Sequence, residues 1–581
     1  MSLLNQEVAA AFVDQLGRSG LRHVCVSPGS RSGPLAIAFA RNGRMRTWVH
    51  VDERCAGFFA LGIAKRTGEP AAVLTTSGTA AAELHPAVLE AYHSRTPLLV
   101  LTADRPPEVR DRGANQTIDQ AHLYGGATRW TYEPGPPDPS LPLHFWQQLA
   151  ARGLAVARGP VAGPVHLNLP FREPLLSPAG PQVHTAPMRS VRELRVHPGI
   201  RAPSAHTLDT LASLLTGAQR PFVHAGTMPP DIDVSAALEA LASRASLVIH
   251  AEPQSHLRHS NLNGLLRNTE GLLRDEPFAS SHAPDIVVRL GSAPTSRTLN
   301  EWLSAFTPHV LLFDPDGEWQ DPQNLATEAV HCDIAPTIRG VCARVAPSSA
   351  AKDWQRDWLD ADQRAGTAIN TELERQPVFE AQIVRVLSSH LPDKATVAIG
   401  SSMPIRDADW FWLPGEHRRF IVNRGVSGID GFVSTTLGAA AASSGEPTVA
   451  ICGDLTFYHD MNGLRASKHD GVSAVFVVLN NDGGGIFSLL PEAQHADVFD
   501  EVFTTPLGLD LARVAALYEC SYSAVDGVAA LQPAVRDALA AGRTAIVDVR
   551  FSRAASVAGH RAVWAAAADA IREAHREARQ T

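Results

Sequence analysis

Two polar strand ends in the last third of the chain carry residue types that bind a divalent cation. The apolar run TVAIC leads to Gly453 and Asp454, and the run AVFVVL leads to Asn480, Asn481 and then Gly483. Mg²⁺ prefers hard oxygen ligands, which here would be the Asp454 carboxylate, the Asn481 amide oxygen and the Gly483 carbonyl. Ligands of a parallel sheet collect beyond the carboxyl ends of its strands, where these residues are expected. The pattern predicts a metal site completed by phosphate.

The spacing of this pair makes the prediction more specific. Asn481 follows Asp454 by 27 residues, and a Gly-Asp with an Asn at this distance resembles the metal–diphosphate signature of thiamine diphosphate (ThDP) enzymes. Either half alone is weak, because Gly-Asp is common after strands and Asn-Asn often marks only a turn. The broad signature has Gly where this chain has Leu455. The resemblance implies ThDP and Mg²⁺, or Mn²⁺ in its place, as cofactors.

Glu53 is the second candidate for chemistry. It follows the predicted strand TWVHV and precedes a helix with an apolar stripe, RCAGFFALGIAKR. An acidic residue in the first turn of a helix often does no more than face the helix dipole. ThDP enzymes, however, use one carboxylate on the cofactor's pyrimidine ring to activate the thiazolium carbon. The resemblance implies this role for Glu53, and also that a second subunit completes the site.

Four arginines lie in loops that follow predicted strands, namely Arg31, Arg105, Arg406 and Arg424. Arginine binds carboxylates through two parallel hydrogen bonds, so a cluster of arginines would suit a substrate with several carboxylates. Solvation at the surface explains most arginines in any protein. This explanation is weaker for four strand-end arginines in a chain of net charge −9. Arg297, after a predicted strand in the middle of the chain, is a weaker candidate.

The composition excludes several classes of protein. The chain has 581 residues, 45% of them apolar and 19% charged, which is typical of a globular protein with three or four domains. The net negative charge argues against a nucleic-acid or anionic-membrane surface. Six scattered cysteines without a Cys-x-x-Cys pair favour the cytoplasm. The N-terminal segment lacks the pattern of a signal peptide, and no apolar run is long enough to span a bilayer.

Short apolar strands alternate with helix-length segments in three blocks, which predicts three α/β domains with parallel sheets. The predicted domains span residues 1–180, 207–346 and 354–581, with a linker from Arg172 to about His206 that is rich in Pro, Ser and Gly. The first and third blocks share a pattern, because Gly-Glu-Pro precedes a strand at 68–70 and again at 445–447. This repeat predicts two sheets of the same design that offer strand-end loops to one site.

Longer motifs narrow the resemblance to one family. They are SPGSRS, HVDER, TSGTA, LTADRPPE, ANQTIDQ, NRGVSGIDG, GDLTFYHD and NNDGGGIFSLLP. Together they resemble the 2-succinyl-5-enolpyruvyl-6-hydroxy-3-cyclohexene-1-carboxylate synthases, ThDP enzymes of menaquinone biosynthesis. The likeness covers both outer blocks in order, and Leu455 fits because this family has Gly-Asp-Leu. The resemblance implies a pyrimidine-binding domain, a central domain and a diphosphate-binding domain, assembled as a dimer or tetramer.

The resemblance also implies a reaction and a role for each site residue. The enzyme would decarboxylate 2-oxoglutarate and add the resulting succinic semialdehyde carbanion to isochorismate in a 1,4-addition. Ser402 and Arg406 would bind the distal carboxylate of the succinyl unit. The isochorismate site would comprise Ser30, Arg31, Arg105, Asn115, Gln116 and Arg424, with Ile486 and Phe487 as an apolar wall.

Further roles follow from the same resemblance. Ile429 would support the bent cofactor, with Gly453 and Leu455 beside the diphosphate. Ser30, Arg31 and Gln116 would join Glu53 in catalysis. The family often has a lysine in a central-domain loop where this chain has Ser296 and Arg297.

Two other interpretations fit part of the pattern. Another ThDP lyase, such as a 2-oxo-acid decarboxylase or an acetolactate-synthase-like enzyme, would share Glu53 and the metal site but would not need the arginines. A non-catalytic α/β protein that binds a nucleotide or an effector would not need Glu53 together with Asp454 and Asn481.

Overall fold

The structure is a computed structural model that describes residues 1–177, 194, 196–197, 199–228, 232–258, 262–415 and 418–580. These residues form three α/β units, each built on one parallel sheet. This architecture confirms the predicted fold class. The predicted linker from Arg172 to about His206 lies partly outside the described residues.

The first unit contains the strands β1 (His23–Val26), β2 (Arg46–Val49), β3 (Ala71–Thr75), β4 (Leu98–Asp104), β5 (Trp130–Tyr132) and β6 (Pro164–Pro170). Its helices are α1 (Ser2–Arg18), α2 (Gly33–Arg41), α3 (Glu53–Thr67), α4 (Thr79–Ala82), α5 (His85–His93) and α6 (Leu143–Arg158). The sheet order is β2-β1-β3-β4-β6-β5. Strands β4 and β6 are buried along their whole length, which explains why both are rich in apolar residues.

The central unit contains β7 (Pro221–Ala225), β8 (Val248–Ala251), β9 (Ile286–Leu290), β10 (His309–Phe313) and β11 (Glu328–Val330). Its helices are α7 (Ala205–Gly217), α8 (Ile232–Ala245), α9 (Thr269–Leu273), α10 (Glu276–Ser281), α11 (Arg297–Ala305) and α12 (Ile334–Cys342). The sheet order is β11-β10-β9-β7-β8.

The third unit contains β12 (Thr396–Ile399), β13 (Arg419–Val422), β14 (Thr448–Gly453), β15 (Val475–Asn480), β16 (Ser521–Val525) and β17 (Ala545–Arg550). Its helices are α13 (Ser349–Arg375), α14 (Glu380–His390), α15 (Met403–Phe411), α16 (Phe432–Ala441), α17 (Asp454–His459), α18 (Arg465–Asp470), α19 (Leu511–Leu517), α20 (Val528–Ala540) and α21 (Arg553–Gln580). The sheet order is β13-β12-β14-β15-β17-β16. This order matches the first sheet strand for strand, which confirms that the two sheets have the same design.

Three strands that the sequence did not predict lie at sheet edges. They are β5, β11 and β16, and most of their residues are half-buried or exposed. An edge strand covered on one side needs no continuous apolar run, so it leaves a weaker pattern in the sequence. Within the described part of the chain, no helix is both long and apolar enough to cross a membrane.

The first and third units are joined by close packing of α3 against α16. A Cβ atom on Gly62 of α3 would lie only 2.0 Å from the Thr435 carbonyl oxygen of α16. A Cβ atom on Gly438 of α16 would lie 2.0 Å from the Phe59 carbonyl oxygen of α3. The two helices therefore contact each other backbone to backbone, and glycine is the residue that permits this approach.

We expect Gly62→Ala to lower the midpoint of thermal unfolding, because the added methyl group must push α3 away from α16. Overpacking of this kind costs about 1–3 kcal/mol. The matched control is Gly217→Ala at the end of α7, where a Cβ atom meets nothing within 4 Å. Calorimetric scans that give the same midpoint for both variants would contradict the tight contact.

Candidate active site

The predicted metal ligands lie at the carboxyl ends of two neighbouring strands, β14 and β15. Asp454 is the first residue of α17, and its side chain is only 4% exposed. Its carboxylate accepts hydrogen bonds from the backbone N–H of Leu455 at 2.9 Å and of Gly483 at 2.7 Å. Burial raises the pKa of Asp454 to about 6, and the charge of Asp482 adds to the rise. A bound cation would stabilise the ionised carboxylate at this position.

Asn481 and its neighbour Asn480 differ in how their side chains are satisfied. The amide of Asn480 donates to Asp548 at 2.8 Å, and its oxygen accepts from the backbone N–H of Asp482. The Asn481 Oδ1 atom is buried and has no hydrogen-bond donor among the described residues. A buried oxygen without a partner costs free energy. Its position is explained if it coordinates a metal ion, so the residues present fit the predicted cation.

The glycines after Asn481 bring the backbone close to this site. Gly483 has φ +133°, and a Cβ atom there would lie 2.1 Å from the Thr504 carbonyl oxygen. A Cβ atom on Gly485 would lie 2.2 Å from the Asn481 side-chain nitrogen. The Gly483 carbonyl accepts from the Gly485 N–H at 2.9 Å and keeps a second lone pair for a cation. Glycine at these positions therefore lets the loop pack closely against Thr504 and the Asn481 side chain while the Gly483 carbonyl can still accept a cation.

Glu53 begins α3, and the Asp52 side chain caps this helix by accepting from the Cys55 N–H at 3.1 Å. Burial raises the pKa of Glu53, and the charges of Asp52 and Glu83 add to the rise. The side chain lines a cavity of about 890 Å³ together with Glu83, Gln116 and Thr76. A carboxyl group with a raised pKa in a cavity is suited to exchanging protons near neutral pH.

Two of the predicted arginines lie side by side at the carboxyl edge of the first sheet. Arg105 donates to the Gln116 carbonyl at 2.7 Å and to the Ser77 hydroxyl. Arg31 donates to the Phe171 carbonyl and to the Glu173 carboxylate, both at 2.9 Å. Burial lowers the pKa of Arg105, and the positive charge of Arg31 lowers it further. The structure thus brings Arg31, Arg105 and Gln116 together.

The other two arginines are neighbours in the third unit. Arg406 lies in the first turn of α15 and donates to the Ser402 carbonyl at 2.6 Å. Burial lowers the pKa of Arg406, and the positive charge of Arg424 adds to this effect. Ser402 precedes α15 with φ +74°, an uncommon conformation for a non-glycine residue that is often found at functional sites. Arg424 lines a cavity of about 390 Å³ between the three units.

The remaining predicted residues occupy more open positions. Ser30 and Asn115 are exposed, and Ile429 is half-buried in the loop before α16. Ile486 and Phe487 lie in a 3₁₀ turn over Gly485–Leu489. Arg297 is 84% exposed and pairs with Glu301 on its own helix, as a surface arginine would.

Within one chain, the two halves of the predicted site line different cavities. The third-unit residues that line the Glu53 cavity are Asn462, Arg465, Lys468, Leu517 and Tyr518. Asn481 lines a separate cavity of about 510 Å³ with Asp482, Asp510 and Arg550. In a single chain, the candidate proton-transfer group and the candidate ligand Asn481 therefore do not share a cavity.

Comparison with known proteins defines the class. The model of the thiamine pyrophosphate enzyme N-terminal TPP-binding domain matches residues 6–123, and the model of the C-terminal TPP-binding domain matches residues 407–549. A crystal structure of benzoylformate decarboxylase from Polynucleobacter necessarius shares the fold, with a TM-score of 0.71 at 17% identity. The similarity covers 94% of this chain and 98% of the decarboxylase. The chain is a ThDP-dependent enzyme.

Relatives at higher identity define the family. A 2-succinyl-5-enolpyruvyl-6-hydroxy-3-cyclohexene-1-carboxylate synthase from Chloroflexus aurantiacus is 41% identical over 97% of both chains. A synthase of the same name from Geobacillus kaustophilus is 39% identical over 96% of both chains. The chain belongs to this family of synthases, as the sequence motifs predicted.

The contrast between the two asparagines gives a test. We expect Asn481→Ala to leave the stability of the metal-free protein unchanged while weakening metal-dependent ThDP binding by about tenfold or more. Asn480→Ala should instead lower the free energy of unfolding by about 1–3 kcal/mol, because it removes a donor from the buried Asp548 carboxylate. It should leave metal-dependent ThDP binding unchanged. Calorimetric titration with ThDP and Mg²⁺, with thermal unfolding in parallel, measures both effects. Full cofactor affinity in Asn481→Ala would remove that residue from the metal site.

Proposed function

We propose that the enzyme decarboxylates 2-oxoglutarate and transfers the remaining four-carbon unit to isochorismate, using ThDP with Mg²⁺ or Mn²⁺. The observation that carries the proposal is the presence of two arginine pairs, Arg31 with Arg105 and Arg406 with Arg424, in addition to the predicted cofactor residues. Two groups of cations suit two substrates that each carry carboxylates. The name of the relatives also describes a product with a succinyl group on a cyclohexene carboxylate.

The cofactor would be held by Asp454, Asn481 and the Gly483 carbonyl through the metal, with Gly453, Leu455 and Ile429 along its length. When bound, ThDP supplies the electron sink for decarboxylation of a 2-oxo acid. The Glu53 carboxyl would hold the proton that is exchanged with the pyrimidine ring, and its raised pKa supports this role.

The four arginines divide between the two proposed substrates, and Arg406 and Arg424 bind different ones. Arg406 and Ser402 would bind the distal carboxylate of 2-oxoglutarate. Arg406 is half-buried, and its only hydrogen-bond partner among the described residues is the neutral Ser402 carbonyl. The isochorismate carboxylates would lie against Arg31, Arg105 and Arg424. Arg31 pairs with a Glu173 side chain that is 72% exposed, and such a pair is weak enough for a substrate carboxylate to replace.

Uncharged groups would complete the isochorismate site. Ser30, Asn115 and Gln116 offer hydroxyl and amide groups to the ring substituents, and Ile486 and Phe487 would pack against the ring. Arg297 remains a weaker candidate, because it is exposed and pairs with Glu301.

We also infer a homo-oligomer in which a second copy completes each site, with a dimer as the smallest form. The separation of Glu53 from Asn481 within one chain supports this inference. Exposed apolar side chains near both half-sites support it as well, with Val51 and Leu517 each 63% exposed and Val502 59% exposed. The six free cysteines favour a cytoplasmic enzyme.

A product assay tests the proposal. With ThDP, Mg²⁺, 2-oxoglutarate and isochorismate, we expect the coupled product to accumulate and little succinic semialdehyde to be released. Rapid release of succinic semialdehyde without isochorismate, and no coupled product with it, would instead identify a 2-oxo-acid decarboxylase.

We expect Glu53→Gln to keep its affinity for ThDP and lose about 10²–10⁴-fold in kcat, because the amide cannot transfer the proton. Glu83→Gln is the matched control, since Glu83 lines the same cavity. The control should retain most of its turnover. A near-normal kcat in Glu53→Gln would exclude the proposed proton-transfer role.

We expect Arg406→Ala to raise the KM for 2-oxoglutarate about tenfold or more, because a charged hydrogen-bond donor is lost, while the KM for isochorismate stays within about twofold. Arg297→Ala should change neither KM, because Arg297 pairs with Glu301 at the surface. An effect of Arg406→Ala on isochorismate alone would show that the two substrate positions are reversed.

A further inference from the structure

A buried ion pair lies between the first and third units, away from both half-sites. Lys65, near the end of α3, donates to the Glu90 carboxylate of α5 at 2.7 Å. The Lys65 side chain is 9% exposed and the Glu90 side chain 2% exposed. Both residues belong to the first unit, yet the remaining hydrogen bonds of their side chains go to the third unit.

The Lys65–Glu90 pair binds a short backbone segment of the third unit, residues 422–426. The Glu90 carboxylate accepts from the backbone N–H of Gly425 at 3.0 Å and of Val426 at 2.9 Å. Lys65 donates to the Val422 carbonyl at 2.5 Å. Both ends of the segment are therefore bound by charged side chains of the other unit, and hydrogen bonds to charged groups are the stronger ones.

Gly425 shows how closely the segment lies against α5. A Cβ atom on Gly425 would lie 2.7 Å from the Glu90 carbonyl oxygen and 2.7 Å from the Ser94 backbone nitrogen. The segment therefore rests directly on the end of this helix. Through its hydrogen bonds to the Gly425 and Val426 N–H groups, the Glu90 carboxylate fixes the position and orientation of this segment relative to α5.

The segment carries a residue of the proposed substrate site. Arg424 lies at its centre, between the carbonyl bound by Lys65 and the N–H groups bound by Glu90. Asn423 donates to Thr435 at 3.1 Å, and its carbonyl accepts from Ser401 at 3.3 Å, next to Ser402. The contacts of the first unit thus extend to both arginine-bearing loops of the third unit.

We infer that Glu90, with Lys65, is a positioning residue for Arg424, acting on the substrate site through the backbone of residues 422–426. The inference rests on the proposed role of Arg424 in substrate binding. Neither Glu90 nor Lys65 needs to touch a substrate for this effect. An arginine must be placed to within a fraction of an ångström to bind a carboxylate productively, so a shift of its backbone weakens binding.

Glu90→Gln is the informative variant, because it is nearly isosteric but keeps only one of the two acceptor oxygens. We expect the exchange of the Val426 amide proton to accelerate by about tenfold, because this N–H loses its acceptor while the Gly425 N–H can keep the remaining amide oxygen. We expect the KM for isochorismate to rise by about tenfold as well. The KM for 2-oxoglutarate and the affinity for ThDP should change by less than about twofold.

The matched control is Glu446→Gln. Glu446 pairs with Arg66, the residue after Lys65, so this variant also weakens an ion pair between the first and third units. The Glu446 side chain pairs with Arg66 and forms no hydrogen bond to residues 422–426, so the control should leave both amide exchange and KM at wild-type values. If Glu90→Gln and Glu446→Gln changed amide exchange and KM to a similar extent, the effect would come from the general contact between the first and third units and not from the binding of residues 422–426.

A double variant shows whether the effect passes through Arg424. In an Arg424→Ala background, Glu90→Gln should no longer change the KM for isochorismate, because the group that it positions is gone. If the effects of Glu90→Gln and Arg424→Ala on the KM for isochorismate were additive, the inference would be overturned. Unchanged amide exchange in Glu90→Gln, or faster exchange with an unchanged KM, would also overturn it. If the wild type fails to couple the two substrates, the proposed function fails, whereas amide exchange still decides whether Glu90 holds the segment.

Discussion

The backbone contact between α3 and α16 is the constraint on which the rest of the structure depends. Gly62 and Gly438 let the two helices approach until neither has room for a Cβ atom. This contact fixes the first sheet against the third, and it sets the direction of the two loops at the ends of these helices. One is the Glu53 turn before α3, and the other is the loop that contains Ile429, before α16.

In this packed arrangement, the candidate site residues of one chain do not share a cavity. With α3 and α16 packed together, Glu53 lines one cavity and Asn481 lines another. Exposed apolar side chains lie near both. A second copy of the chain, which places its own third unit over the Glu53 cavity, would cover this apolar surface and bring the two chemical groups together.

Buried polar groups show which parts of the structure are complete in a single chain. Glu90 is satisfied by three donors, and the Asp454 carboxylate is held by two backbone N–H groups. The Asn481 oxygen has no partner among the described residues, and Ser402 holds a strained backbone. Departures of this kind are expected where a protein sacrifices local stability for function. Asn481 and Ser402 are both residues that the motifs had already indicated, although other buried atoms without a partner among the described residues, such as Trp146 Nε1, lie elsewhere in the fold.

Much of the fold was predictable because buried parallel strands are continuous apolar runs and the Gly-Glu-Pro repeat marks the two related sheets. The candidate cofactor residues could be proposed from the sequence because Asp454 and Asn481 follow such strands at a recognisable spacing. The edge strands β5, β11 and β16 were missed because they are short and only partly buried. Glu173 and Glu90 were missed for another reason. Each contacts its partner from far away in the sequence, and no local pattern reveals such a pairing.

Subunit complementation tests most directly whether two chains share each site. A Glu53→Gln chain and an Asn481→Ala chain, each nearly inactive alone, would be co-expressed with different tags so that mixed assemblies can be formed and purified. A mixed dimer has one intact site of two, so the purified mixed dimers should show about half of wild-type turnover. In the unsorted mixture, where random pairing makes half of the dimers mixed, about a quarter should return. If each site were built within one chain, the mixture would be no more active than its parts, and the account would be wrong.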